Sequence, residues 1–447
     1  MATSIQAFRT GLYEEHVDEI SFLYSQRRHL LSETSLAWRD LAPFERRLEL
    51  HLDALVIGAD LAGSVCHRSA TEDAGRVFAA VSLLCRLRRA AQLSEVISKV
   101  DGGDDDSLVA LGDALKYELP TEWVSFLERA LVRQDARLLP GLATACGYRR
   151  IPCDSTLVEL LGLRPAASRS IVEALGRLRS PSARSALLQC LRDDDASLRS
   201  EALLALLRIG VEPPVRACYL VAQTEAWPRL ALGLAGDAAA LRVLMHPAGG
   251  HPDAAGIHAV GLLGMPRSVP YLCECLSDPA LAEVAAQALN WICGADLYED
   301  VLVEEPVNED EMFPREIEAW REHGVRPQTL DGRSFGTVER KLTTDAGRWS
   351  EWIRGNARHF DADCRYRGGN LYSPKALVQS LSRPDTDKRL RELIGHELVI
   401  RYGCDVPMES DMPVVLQFEA IRRMAAWVTE RENRFVPGGW HLNGRPQ

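Results

Sequence analysis

Ala145-Cys146-Gly147, Ala174-Leu175-Gly176, Ala205-Leu206-Leu207, Ala231-Leu232-Gly233, Ala259-Val260-Gly261 and Ala288-Leu289-Asn290 form one column of short runs through the middle of the chain. Their alanines stand 29, 31, 26, 28 and 29 residues apart. Two helices of roughly ten to twelve residues and two tight turns fill such a period. Helix-stopping residues recur at fixed offsets. Proline follows the alanine by seven at Pro152, Pro181 and Pro266, and glycine follows it by five at Gly210, Gly236 and Gly264. Glycine tolerates the left-handed position past a helix end, and proline cannot continue the ladder. The other helix of the unit rhymes too: Leu188-Gln189-Cys190-Leu191-Arg192-Asp193 returns 85 residues on as Cys273-Glu274-Cys275-Leu276-Ser277-Asp278. In the third run Ala202 would space the column more evenly but would lose Gly210, and the period survives either choice.

Neither helix of so short a unit can bury its apolar stripe alone, so the units must stack. Small residues in the column let neighbouring helices approach closely. The expected fold is therefore all-α, an α-solenoid of helix pairs with helical domains at both ends. Composition agrees, with 46% apolar and only 6% aromatic residues, a mix that favours helix packing over sheet sandwiches. A chain of 447 residues exceeds what one compact core usually reaches, and an array that grows sideways accommodates it.

Helical spacing extends before the array, at Val17, Ile20 and Tyr24, then at Leu48, Leu52, Leu55, Val56 and Ala59. Between these runs Leu36-Ala37-Trp38-Arg39-Asp40-Leu41-Ala42-Pro43 places a proline suited to a first helical turn. More helix is expected from Val77 to Val100. Asp101-Gly102-Gly103-Asp104-Asp105-Asp106-Ser107 breaks the pattern and reads as a loop. As a calcium loop it fails, because Asp106 stands where the turn glycine belongs and Gly112 where the bidentate Glu belongs. After the array, Glu299 to Glu311 holds seven acidic and no basic residues, with Pro306 and Pro314 interrupting or bounding it, which reads as a solvated connector. A helix is expected through Trp349, Trp352 and Ile353 to Phe360. Ser373 caps and Pro374 opens another, and two more follow around Leu390 to Arg401 and Val414 to Arg431. Pro437-Gly438-Gly439-Trp440 reads as loop. The expected organisation is an N-terminal helical domain at 1–118, the repeat array at 119–298, an acidic linker at 299–314 and a mainly helical C-terminal domain at 315–447.

A formal charge of −11 and a pI near 5.6 argue against a nucleic-acid partner, since that affinity comes largely from Lys and Arg on phosphates. Met1-Ala2-Thr3-Ser4-Ile5-Gln6 opens no basic and apolar leader, and no stretch approaches eighteen uncharged apolar residues. The expectation is a cytoplasmic protein without membrane insertion. Eleven cysteines occur without a CxxC, several in Leu-rich helices, so reduced core thiols are expected rather than disulfides or a zinc knuckle.

His246, His251 and His258, with Asp253 among them, are the densest imidazole group, yet their spacing fits no metal template. HEAT-like deoxyhypusine hydroxylases hold two irons with His-Glu pairs on several repeats. This chain has one such pair, His396-Glu397, outside the array, and a zincin's second His would fall on Ile400. Neither a GxxxxGK[ST] loop nor a GxSxG elbow occurs. No metal, cofactor or catalytic residue is expected, and a metal-dependent enzyme built on the His246 to His258 segment is the rival reading. Trp349 and Trp352 share a helix face, and Arg365 and Arg367 follow closely. Aromatic and Arg groupings are typical of interface centres, so these four are the candidate partner-binding residues, against the reading that the tryptophans are core.

The repeat runs resemble the short HEAT repeats of phycobilisome-lyase-like proteins over roughly residues 120–298. Glu15-His16-Val17-Asp18-Glu19 through Phe22-Leu23, the run Phe44-Glu45-Arg46-Arg47-Leu48-Glu49-Leu50-His51-Leu52-Asp53-Ala54-Leu55, and Arg365-Tyr366-Arg367-Gly368-Gly369 followed by Ser373-Pro374 resemble a bacterial HEAT-repeat family of unassigned biochemical function. Members of that family are often encoded beside type VI secretion genes. The resemblance implies a protein-binding scaffold, an adaptor or chaperone for a secretion effector or spike component. A toxin-neutralising immunity protein is the binding alternative.

Overall fold

A computed structural model describes every residue except 1–3, 34–36, 101–102, 134–136, 164, 212, 248–249, 306 and 329–331. Met1 to Thr3, Leu36, the Asp101-Gly102 start of the tested calcium loop, Gly249 and Pro306 therefore lie outside the described residues. Two long antiparallel helices, α1 (Ile5–Ser32) and α2 (Ala42–Ser69), open the fold. Shorter helices follow as α3 (Ala74–Arg86), α4 (Ala90–Lys99), α5 (Asp105–Glu118), α6 (Val124–Arg133), α7 (Leu139–Arg149), α8 (Asp154–Leu161), α9 (Ser168–Leu178) and α10 (Arg184–Cys190). The array continues with α11 (Ala196–Ile209), α12 (Pro213–Val221), α13 (Arg229–Ala235), α14 (Ala238–Met245), α15 (Ala254–Leu263), α16 (Val269–Cys275) and α17 (Ala282–Cys293). From α3 onward the odd-numbered helices pack in succession as an inner row, flanked by the even-numbered ones.

The small-residue column is the seam of this row. A Cβ added to Gly147 would lie 2.6 Å from Ala174 Cα, one on Gly176 2.8 Å from Ala205 Cα, and one on Gly233 2.8 Å from Ala259 Cα. Gly261 repeats the approach against Ala288 at 3.0 Å. The partner of Gly176 shows that Ala205, not Ala202, is the third anchor, and all six anchor alanines are buried. The third run has Leu207 where its neighbours have glycine, and there the seam opens. Contact between α11 and α13 is thinner, and the hydrophobic core divides into one body from Tyr13 to Val211 and another from Leu203 to Leu442 that also takes in Trp38 and Leu41. Gly112 and Gly141 make a similar close approach between α5 and α7.

The acidic run after the array begins as a strand rather than a connector. β1 (Tyr298–Glu304) pairs antiparallel with β2 (Gly336–Leu342), Tyr298 opposite Leu342 and Glu304 opposite Gly336. Val301-Leu302-Val303 supplies the strand preference, and the acids gain opposite charges across the ladder, Glu299 facing Lys341 and Asp300 facing Arg340. Between the strands, α18 (Pro314–His323) has no buried residue among those described.

The remainder is α19 (Ala346–Asn356), the hairpin β3 (Tyr366–Arg367) and β4 (Asn370–Leu371), α20 (Pro374–Ser382), α21 (Lys388–Tyr402), α22 (Val414–Arg431) and the hairpin β5 (His441–Leu442) and β6 (Arg445–Pro446). Ser373 caps α20 as expected, its hydroxyl accepting from the Ala376 amide at 3.2 Å. The C-terminal third travels back along the array: α19 lies on α16, β3 on α17, α21 on α13 and α11, and α22 on α2. At its far end Asp411 meets Lys116 at 2.6 Å, and its carbonyl accepts from Arg27 at 2.8 Å. No helix among the described residues is long and apolar enough to cross a membrane.

Candidate functional site

Each inner helix ends with carbonyls that have no partner inside the helix. For α13, α15 and α17 the C-terminal third supplies donors to these carbonyls. Arg365 Nε donates to Leu263 O at 2.7 Å, Arg367 donates to Leu262 O at 3.1 Å and Gly261 O at 3.3 Å, and the Tyr366 amide donates to Gly264 O at 2.7 Å, closing α15. Amides of Gly368 and Gly369 close α17 on Trp291 O and Ile292 O, with both glycines left-handed at φ 55° and 76°. Arg401 closes α13 on Gly233 O and Gly236 O at 3.1 and 3.2 Å. Arg365 is sandwiched by rings, its guanidinium 3.6 Å from the centre of Tyr372 and 4.4 Å from that of Trp440.

This placement corrects the expected interface. Arg365, Arg367 and Trp349 are fully buried, and Trp349 donates to Thr343 O at 2.7 Å. Trp352 is half-buried against Phe360. The first three present no surface to a partner, because they are enclosed by carbonyls and rings of this chain. Three guanidiniums here share one carboxylate, Glu397, which accepts from Arg367 at 2.8 Å and from Tyr372 at 2.7 Å. The rest of the balance comes from helix C-termini, each worth roughly half a negative charge. Burial, then the neighbouring Arg401, still pulls Arg365 down to about 10.

The histidines take separate structural posts. His258 stacks on Trp291 at 5.2 Å and bonds Gln287, while Asp253 caps α15 and pairs with Arg229. His246 and His251 are exposed. Glu397 of the His-Glu pair serves the arginine lock, and His396 faces Arg208. Among the described residues no three His, Cys, Asp or Glu side chains gather as a metal-binding group. The cysteines are free thiols, and burial pushes Cys66, Cys218 and Cys293 up to about 12, far from the reactive thiolate.

Sequence reasoning missed a charged cavity of about 250 Å³ between the ends of α7, α9 and α11 and the segment from α21 to Ser410. Arg150 and Arg177 clamp Glu409 at 3.0 and 3.2 Å, and Arg177 also holds Glu173 at 2.9 Å. Burial alone would raise Glu409, but Arg177, Arg150 and Arg208 overcome it and hold the carboxyl at about 2. Glu201, half-buried, is pushed up to about 7 by loss of water and then by the charge of Glu173. Arg208 donates to Nδ1 of His396 at 3.0 Å, and burial with that cation beside it keeps the imidazole neutral, well below its ordinary range. The signal was in the column: Arg150 and Arg179 occupy the fifth position after the anchor, where later units have glycine, and Arg177 and Arg208 the third.

A second unassigned surface is the arm at residues 298–342. Val301, Leu302, Phe313, Val325, Phe335 and Val338 are exposed on it. Between 299 and 342 it carries 12 acidic and 6 basic residues, about half of the excess negative charge of the chain.

Residues 155–225 match the family of HEAT repeats, a span that holds the anchors Ala174 and Ala205 with their Gly176 seam. No curated protein matches the chain. Residues 155–225 are thus similar to HEAT repeats, and the chain is an all-α solenoid against which its own C-terminal third packs.

Proposed function

We infer that the protein is a cytoplasmic, non-enzymatic scaffold that binds a protein partner through the arm at residues 298–342. HEAT repeats commonly serve as protein-interaction scaffolds. Here the ends of α13, α15 and α17 are taken by the chain itself, and the arm is one surface left open to a partner. The observation that carries the reading is the six exposed apolar side chains of this arm, Val301, Leu302 and Val338 on its two-stranded ribbon and Phe313, Val325 and Phe335 on the segments between the strands. Such ribbons are marginal in isolation, and exposed apolar clusters rimmed by charge mark docking sites. The excess of acids favours a partner with a basic rim.

The resemblance to a family encoded beside type VI secretion genes narrows this to an adaptor or chaperone for an effector or spike component. A toxin-neutralising immunity protein is the same physical activity with a different partner, and the identity of the captured protein separates them. The test is affinity capture from the native cell with the wild-type chain and with Leu302→Ser, Phe335→Ser and Val338→Ser combined. The triple variant is expected to melt like the wild type and to lose the partner. Undiminished capture of the same partner by the folded variant removes the arm from the interface.

A further inference from the structure

Ladder geometry decides which backbone groups of the arm are open. In an antiparallel pair, opposite residues alternate between those that exchange N–H and C=O groups and those whose groups point away from the partner strand. The Glu305 amide donates to Phe335 O at 3.1 Å and the Thr343 amide to Leu297 O at 2.8 Å, so these pairs, one beyond each end of the ribbon, are of the first kind. Counting inward by twos along the register, Val303 with Thr337, Val301 with Glu339 and Glu299 with Lys341 are of that kind as well. Asp300, Leu302 and Glu304 therefore turn their N–H and C=O groups outward, away from β2. Among the described residues no third strand joins the ribbon, and those groups have no backbone partner. All three residues are exposed, Leu302 by 43%.

An open edge is usually blunted by lysine, proline or a bulge. β1 contains neither lysine nor proline, and its register runs unbroken. What it carries is negative charge. Asp300 and Glu304 flank Leu302 on one face of the pleat, since all three are two residues apart. Among the described residues Asp300 forms no ion pair, its cross-strand neighbour Arg340 lying over the Tyr298 ring at 4.5 Å. Arg326 meets Glu304 at 3.1 Å, but both side chains are exposed, where such pairs are weak. Two β1 edges from separate copies, centred on Leu302, would set Asp300 opposite Glu304, and like charges directly opposite destabilise a sheet. A β1 edge on the β2 edge of a second copy repeats without closing and grows into fibres. The charge pattern thus turns away copies of this chain and favours a basic strand.

We propose that the open edge of β1 takes a third strand from the protein partner, an extended segment with Lys or Arg opposite Asp300 and Glu304 and an apolar residue opposite Leu302. The outward backbone groups supply the hydrogen bonds, and the alternate side chains supply the selection. The inference rests on the arm being the binding surface, and adds how the arm binds and which sequence it selects.

The full-length chain is titrated with the end-blocked peptide Thr-Lys-Thr-Val-Thr-Lys-Thr and followed by fluorescence anisotropy and amide hydrogen exchange. Saturable binding is expected, with exchange slowed at the Leu302 and Glu304 amides and little changed at Val301 and Val303, which already donate to β2. The same peptide methylated on its valine nitrogen, and its counterpart with glutamate for lysine, are each expected to bind roughly tenfold or more weakly. Proline is tolerated on an edge where the N–H faces solvent. Leu302→Pro removes the outward N–H and none of the bonds to β2, and is expected to bind the peptide roughly tenfold more weakly than Leu302→Ala, which keeps that N–H. No saturable binding, equal binding of the methylated or glutamate peptide, or equal binding by the proline and alanine variants overturns the proposal. So does growth of the peptide-free chain into larger species in sedimentation, which would make a second copy the occupant. Capture of the native partner separates this inference from the reading beneath it. A partner kept by Leu302→Pro but lost by the triple arm variant overturns strand addition alone, and a partner kept by both overturns the arm as well.

Discussion

Arg367 and Glu397 meet at 2.8 Å with neither side chain exposed, and their position fixes what a substitution does. Replacing Arg367 by Met leaves the buried Glu397 carboxylate without its cation, with only the Tyr372 hydroxyl donating to it, and takes the side-chain donor from Gly261 O. Removing one member of a buried pair typically costs about 3–5 kcal/mol. Arg367→Met is expected to lose that much in urea unfolding, and adding Glu397→Gln is expected to recover a large part of it. A wild-type midpoint for Arg367→Met would show that the lock contributes nothing to stability. The sequence marks these arginines as unusual through their aromatic neighbours, but their acceptors lie about a hundred residues upstream on α15. Linear spacing cannot report that, so a patch expected at the surface is an interior cap. The cavity arginines were nearer to legible, since they occupy repeat columns whose other members are glycine or plain helix ends.

At the scale of the element, the seam between inner helices is the feature that sequence exposes best, because close approach needs the same small residue at the same phase in every unit. Gly176 tests it. A Cβ there meets Ala205 Cα and Cβ at 2.8 Å, both on a packed helix that cannot yield cheaply. Alanine gains about 1 kcal/mol in helix preference, while overpacking costs about 1–3 kcal/mol. Gly176→Ala is therefore expected to be net destabilising, and Gly162→Ala to gain about 0.4–1 kcal/mol, since Gly162 has φ −81° and nothing within 4 Å of its added Cβ. Equal denaturation midpoints for the two variants would contradict the seam. The strands were hidden for the opposite reason. β1 and β2 pair across a long insertion, both are exposed over much of their length, and neither shows a clean apolar and polar alternation.

On the scale of the molecule, the return of the C-terminal third joins the two core bodies that Leu207 separates, and Glu409 is one of its ties to the first. Its carboxyl sits at about 2 in the fold against 4.5 for an ordinary glutamate. A depressed carboxyl contributes stability fully above about pH 4.5 and loses it as pH falls through 2. With its side chain 10% exposed, the contribution is on the order of 3 kcal/mol at pH 7. Glu201 works the other way. Its value is raised to about 7, so its contribution is full below 4.5 and disappears as pH rises through 7. Glu409→Gln is thus expected to lower stability at pH 7, with the deficit shrinking toward pH 2. Glu201→Gln is expected to raise stability at pH 8 and to leave it nearly unchanged at pH 4. Urea unfolding of both variants from pH 3 to 8 reads these differences directly. A Glu409→Gln deficit that stays constant with pH would mean that the loop is held by packing of Val406 and Met408 rather than by the charge that Arg150 and Arg177 grip.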